Sequence, residues 1–323
     1  MEFFKGSKIY DFMGKSKLFI SISILAILTS YVLLFTKGLN YGIDFAGGTI
    51  IQVKYDKKAP IKDIREALKK DKAFATASVT EFGSPDEIVI RVTNSTTSVA
   101  NDIGDKVRTL LKSTGNFEVR RVDMVGPKVG SELREKGLMA MALSILTILI
   151  YVAFRFEWRF ALASILALVH DVSIALGALA LFQVDVNLDI LAALLTILGY
   201  SLNDTIIVFD RIREQVKETK VYDLFLVIND AVTKTLSRTT LTSLTTFFVV
   251  LTLFLFGGEI IYGFSFTMLV GVVVGTYSSI FVASPLLKWL GFDVKRYKDD
   301  LANKEKQRKE KEKLRAQYEG GVV

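Results

Sequence analysis

The sequence predicts a polytopic α-helical membrane protein of six transmembrane helices, with one α+β, ferredoxin-like (βαββαβ) extracytoplasmic domain between spans 1 and 2. Three observations carry this. Six stretches stay apolar for about 17–25 residues, the length a helix needs to cross hydrocarbon. Lys and Arg gather in alternate connections, as they do in membrane proteins of fixed orientation. Between the first two stretches the apolar period switches back and forth between two and 3.6 residues. Composition agrees, since 50% of the 323 residues are hydrophobic and only 4 are Pro, a balance that is unusual for a soluble domain. With no Cys and a single His, a disulfide framework, thiol catalysis and a cysteine- or histidine-rich metal site are excluded; no metal and no cofactor are expected. The formal charge is +7, but the basic residues fall between apolar runs and form no compact face, so they read as topology signals, and no nucleic-acid partner is expected.

In chain order, residues 1–37 hold a basic N-terminus (Lys5, Lys8, Lys15, Lys17) and span 1, Leu18–Phe35. That apolar core is longer than a signal-peptide h-region and no A-x-A site follows, so it is a retained span. Residues 38–132 form the α+β domain. "GGTIIQVKY" puts Ile51, Val53 and Tyr55 on one strand face, and "PIKDIREALKK" opens a helix at Pro60 with Ile61, Ile64 and Leu68 in a stripe. "ASVTEFG" and "DEIVIRV" are strands joined through the turn residues Gly83, Ser84 and Pro85. "SVANDIGDKVRTLLK" repeats the helical spacing with Val99, Ile103, Val107 and Leu110, and "FEVRRVDMV" closes with a strand. The order is that of the split βαβ plan, which by itself carries no obligatory activity.

Residues 133–290 hold spans 2–6, at Gly137–Phe154, Phe160–Phe182, Ile190–Phe209, Leu241–Phe256 and Phe264–Leu287. Arg155 and Arg159 separate spans 2 and 3; Arg211, Arg213, Lys217, Lys220, Lys234 and Arg238 separate spans 4 and 5. The alternate loops "QVDVNLD" and "GGEIIYG" contain no Lys or Arg. Both termini are therefore expected in the cytoplasm and residues 38–132 on the other side. Near 221–236, Leu224, Ile228, Ala231, Val232 and Thr235 share a helix face, as in an interfacial helix on the cytoplasmic leaflet or an ordinary connector. Residues 291–323 are almost devoid of apolar side chains and are expected as a frayed, charged tail.

Charged residues inside the spans are the chemical signal, because a charge near the bilayer centre costs about 2.5–3.5 kcal/mol on insertion scales and so faces protein or water. Asp171 lies about 15 Å along span 3 from Ala161, near mid-membrane, and His170 precedes it. In span 4, Asp204 and Arg211 are seven residues apart on one face, about 10 Å along the axis, and Asn203 with Asp210 repeat that spacing. Thr235, Thr239, Thr242 and Thr246 form a stripe on span 5. Together these are the parts of an ion path. Each also has a plainer reading: Asp210 and Arg211 can sit at a span end and snorkel, the Thr stripe can serve helix packing, and His170 can be a packed residue. Asp171 has no such alternative role. Gly271 and Gly275 in "GVVVG" are a small-xxx-small packing pattern, and no G-x-x-x-x-G-K-[ST] loop is present.

"YGIDFAGGT" after span 1, "VGPKVG" before span 2, "HDVSIALG" in span 3 and "GYSLNDTIIVFDRIRE" in span 4 together resemble the SecD/SecF family of the bacterial Sec export machinery, part of the RND superfamily. The resemblance covers the chain except its tail, and a single six-span unit looks like the separate, SecF-type member and not a fused SecD–SecF chain. It implies a multi-pass protein of the cell inner (plasma) membrane that uses the proton gradient to promote preprotein translocation. The implied partners are a SecD-type membrane protein, the Sec channel with its motor ATPase, unfolded preprotein and membrane lipid. Carried over by motif, the ion-coupling positions fall on Asp171 and on span 4, with Arg211 as the cation and Asp204 beside it; His170, Asn203, Asp210 and Thr242 complete the set. No catalytic residue in the enzymatic sense is expected. The coupling ion stays open between H⁺ and Na⁺. Two other readings are a half-size RND-type exporter of lipid or small molecules, which should carry a second large outer domain in place of "GGEIIYG", and a non-transporting translocon scaffold, which leaves Asp171 unexplained.

Overall fold

The computed structural model describes residues 9–75, 77–93 and 100–319; Lys5, Lys8 and Val99 lie outside the described residues. Helix α1 (Ser16–Thr36) leads into a single helical turn, α2 (Ile43–Ala46), and then the small domain: β1 (Gly48–Tyr55), α3 (Ile61–Lys69), a 3-10 turn (Lys72–Phe74), β2 (Ser78–Phe82), β3 (Ser84–Thr93), α4 (Ala100–Leu111) and β4 (Phe117–Val125). The strands form one antiparallel sheet in the order β2-β3-β1-β4, which is the pairing that the split βαβ plan produces. Ile51, Val53 and Tyr55 alternate inward and meet Ile64, Leu68, Ile103, Val107 and Leu111 in one core. Gly83 makes the β2–β3 turn with φ +73°, the left-handed conformation glycine adopts without strain.

The membrane part consists of α5 (Pro127–Arg155), α6 (Trp158–Phe182), α7 (Leu188–Glu218), α8 (Leu224–Phe256) and α9 (Gly258–Ser278), the last running through a π-helical turn (Ser279–Ala283) into α10 (Ser284–Trp289). With α1 these supply 6 helices long and apolar enough to cross a membrane, and the chain is a polytopic helical membrane protein. Helices α6, α7 and α9 form the packed centre, while α1, α5 and α8 keep much of their apolar surface outward. Glycine sets the closest approach: a Cβ on Gly271 would sit 2.3 Å from Ile197, and one on Gly275 would sit 3.0 Å from Ser201 Cβ. Thus "GVVVG" is the seam between α9 and α7, as small residues at helix interfaces allow.

The helices outrun the apolar stretches, and two expectations are corrected. Residues 221–236 form no separate interfacial helix; they are the first turns of α8, continuous from Leu224 to Phe256. Their apolar face, Val227, Ile228, Ala231 and Val232, is buried in the protein core, so it is protein and not lipid that covers it. Residues 291–323 are not a frayed tail throughout, since α11 spans Val294–Glu319. Strong helix formers and i,i+4 pairs such as Glu305–Lys309 (2.8 Å) and Glu312–Arg308 (3.1 Å) sustain it.

Domain and membrane part are joined at one place. Gly42 N–H donates to Val186 O at 2.8 Å, and Val186 N–H donates to Asn40 O at 2.7 Å. Asp44 Oδ2 accepts from Leu188 N–H at 3.0 Å, so the segment before β1 caps α7 together with Asn187. Arg91 on β3 pairs with Asp185 at 2.5 Å. Gly47, at φ +75°, lets the backbone pass Pro127, whose Cα would be 2.8 Å from an added Cβ; a Cβ on Gly130 would sit 3.0 Å from Gly47 N. "YGIDFAGGT" and "VGPKVG" therefore meet at this joint.

Candidate functional site

Two carboxylates are buried where α6, α7 and α9 converge. Asp171, on α6, has no exposed surface. Its Oδ2 accepts from Ser201 Oγ of α7 at 2.5 Å and from Ser278 Oγ of α9 at 2.8 Å, and its Oδ1 lies 2.7 Å from His170 Nδ1. The His170 ring, equally buried, stacks on Tyr277 at 6.2 Å, and its Nε2 has no partner among the described residues. Small side chains, Ala167 and Ala175, lie one turn either side of Asp171 on α6, which leaves room for the polar cluster in an otherwise apolar seam.

Asp204 sits one turn beyond Ser201 on the same face of α7 and is 1% exposed. Its Oδ2 accepts from Ser243 Oγ of α8 at 3.2 Å, and Ser243 in turn accepts from Thr276 Oγ1 of α9 at 2.7 Å. Arg238, also on α8, is exposed and makes no ion pair with Asp204; its charge reaches that carboxylate only at longer range, as a smaller influence than the Ser243 hydroxyl. Helix α9 thus serves both acids, through Thr276 for Asp204 and through Ser278 for Asp171. Hydroxyls donate or accept by rotation alone, so each acid can lose or gain its charge while its oxygen partners re-pair in place. Immediately after Ser278 the helix takes its π-helical turn, a deviation that is concentrated at functional sites.

The residues expected from sequence divide sharply. His170, Asp171 and Asp204 lie in this cluster. Arg211 does not: ten residues beyond Ser201, about 15 Å along α7, it pairs with Glu214 at 2.5 Å, and its Nε is buried without a partner among the described residues. Asp210 is drawn to Arg155 (3.2 Å) and Arg213 (3.4 Å). Asn203 is on the exposed side of α7. Thr242 is also exposed, and its hydroxyl is spent on the carbonyls of Arg238 and Thr239, both at 3.0 Å. The residues that sequence reasoning missed are Ser201, Ser243, Thr276, Ser278 and Arg238. Arg238 was counted among loop charges because the apolar stretch begins at Leu241, whereas the helix begins 17 residues earlier, at Leu224. The serines carry no charge signal; their only sequence mark is a small hydroxyl residue inside an apolar helix.

Comparison with known proteins bears on the family of the chain. The family model described as protein export membrane protein SecD/SecF, C-terminal, matches residues 106–293, and the SecD/SecF GG motif matches residues 32–59, which include the joint described above. A protein translocase subunit SecF from Helicobacter pylori (strain J99) is 49% identical over 323 residues, 100% of both chains. One from Escherichia coli O157:H7 is 43% identical over 289 residues, 88% of this chain and 89% of the relative. Among solved structures, SecDF from Thermus thermophilus, titled a translocon-associated membrane protein, is 35% identical with a TM-score of 0.79, and the match covers 88% of this chain and 39% of that longer one.

Proposed function

Starting from the chain's membership of the SecD/SecF family of protein export membrane proteins, we propose that it is the half of a translocase assembly that converts an ion gradient into assistance for preprotein export. The observation that carries this is the pair of buried carboxylates, Asp171 and Asp204, each held by hydroxyls, which come from three helices. Ion or proton uptake from the outer side discharges these acids. Ser201, Ser278 and Ser243 then lose the charge they are oriented toward, and Arg238 loses its counter-charge, so the packing of α7 against α8 and α9 changes. Helix α7 carries that change about 24 Å from Asp204 to Leu188, where Asp44 and the Arg91–Asp185 pair tie it to the small domain. The domain swings and hinders backsliding of preprotein.

In this reading the partners are a SecD-type membrane protein, the Sec channel with its motor ATPase, unfolded preprotein and surrounding lipid. The chain lies in the inner (plasma) membrane with both termini in the cytoplasm. The domain contacts the loop around Val186, a connection without Lys or Arg, which supports its extracytoplasmic side. A Cys introduced at exposed Ser113 is expected to react with a membrane-impermeant thiol reagent only from outside; the chain has no native Cys to confuse the assay. Labelling only from the cytoplasm overturns the orientation. The function itself is tested by reconstituting the chain with its SecD-type partner and the channel, and reading preprotein export with and without an imposed proton gradient, sodium present and absent. Export should rise with one of the two gradients. Indifference to both overturns the reading.

A further inference from the structure

The segment before α1 is folded onto the first turns of α8 through one buried amide. Asn229, 5% exposed, accepts from Phe12 N–H at 3.0 Å and Met13 N–H at 2.9 Å through Oδ1, and its Nδ2 donates to Asp11 Oδ1 at 2.9 Å. Asp11 Oδ1 also accepts from Gly14 N–H at 2.8 Å. One turn further along α8, Thr233 Oγ1 accepts from Tyr10 N–H at 3.1 Å. The Asp11 carboxylate folds closely over the turn, since a Cβ on Gly14 would lie 2.1 Å from Asp11 Oδ2 and would push that side chain aside. It is anchored apolarly as well: Met13 is buried in the same core as Val227 and Ile228, and Phe12 packs edge-on against Phe281 of the π-helical turn at 5.9 Å.

Helix α8 is a peripheral helix that packs on α7 and α9 along one face, and Ser243 lies on that face. Asn229 and Ser243 are 14 residues apart, about 3.9 turns at 3.6 residues per turn, so both point from nearly the same face. A slip of α8 by one residue turns that face by about 100° and takes the Ser243 hydroxyl off Asp204. We infer that Asn229 is a positioning residue for the ion path: by holding the strap of residues 10–14 it fixes the rotation of α8 and keeps Ser243 on Asp204. The inference rests on the ion-path reading above. The Gly14 amide, and then Asn229, also hold the Asp11 carboxyl below the usual carboxylate range, which keeps the acceptor of the strap charged.

The test is ion flux by the full chain in complex with its SecD-type partner, each variant compared at matched abundance. Asn229→Asp sets two carboxylates against each other and is expected to lower flux about tenfold, the scale of a lost buried hydrogen bond to a charged group. Adding Asp11→Asn sets a donor opposite the new carboxylate with the roles exchanged, though the amide nitrogen cannot also accept from Gly14 N–H as Asp11 Oδ1 does, so flux should recover most but not all of the loss. Rescue assigns the loss to the contact between the two residues and not to either side chain alone. Thr233→Val removes only the outer tie, and should give a smaller loss even if the exchanged pair does not accumulate. Wild-type flux in Asn229→Asp, or an exchanged pair no better than Asn229→Asp alone, overturns the inference. A wild-type complex with no ion flux overturns the ion-path reading and this inference with it.

Discussion

Asp171→Asn is expected to insert and assemble normally while ion flux and gradient-assisted export fall about 100-fold, the lower end of what a positioned proton-transfer group contributes. The geometry explains the separation of effects. Ser201 and Ser278 both donate to Oδ2, so the Asn amide must put its oxygen there. Its nitrogen then faces His170 Nδ1, which accepts in the tautomer carrying its proton on Nε2. Every hydrogen bond to residue 171 survives and its titration is lost, while the His170 proton moves to Nε2, which has no partner among the described residues. Helix packing should be unchanged, because Asp and Asn are close in volume and a satisfied polar group in the bilayer interior costs little compared with an orphaned one. Conductance and reporter-preprotein export in membranes of matched protein content decide it. Wild-type flux in Asp171→Asn sinks the coupling mechanism and leaves the scaffold reading standing.

The second large effect concerns the cation. Arg238→Gln is expected to reduce flux about fivefold, the upper end for an exposed charge that acts without a direct ion pair, whereas Arg211→Gln changes it less. Arg238 is exposed on α8 and its charge is felt at Asp204, while Arg211 is paired with Glu214 on its own helix, away from both buried acids. Arg does not titrate in proteins, so Arg238 serves as a permanent charge against which Asp204 is charged or discharged. Arg238→Lys keeps the charge without the planar fork and should retain part of the flux. Flux measured side by side for the two Gln variants separates the assignments. Equal damage from Arg211→Gln would require a second arrangement of the helices in which Arg211 reaches a carboxylate.

What the sequence by itself determines here is set by local and additive physics. Apolar length decides that six helices cross a membrane, because each residue's transfer free energy sums along the segment. Alternation at two and at 3.6 residues decides the βαββαβ order, because side-chain direction follows the backbone period, and the predicted inward residues Ile51, Val53, Ile64 and Val107 are buried at 0% exposure. Asp171 was legible because a lone carboxylate in an apolar helix is costly wherever the neighbours lie. That the helix near 221–236 runs on without a break into span 5 was not legible: its first turns are polar on one face, and it is the unbroken helix from Leu224 to Phe256, packed on the core through Val227, Ile228 and Ala231, that places Arg238 in a helix and not in a loop. Nor could spacing on α7 choose between Arg211 and Arg238 as partner of Asp204, because spacing within one helix states which residues share a face and says nothing of what the next helix brings to it. Those pairings depend on the rotation and depth of α8 and α9, which are decided by glycine contacts such as Gly275 on Ser201, and by the strap on Asn229. These contacts join residues 74 and 218 positions apart in the chain, and no local period encodes them.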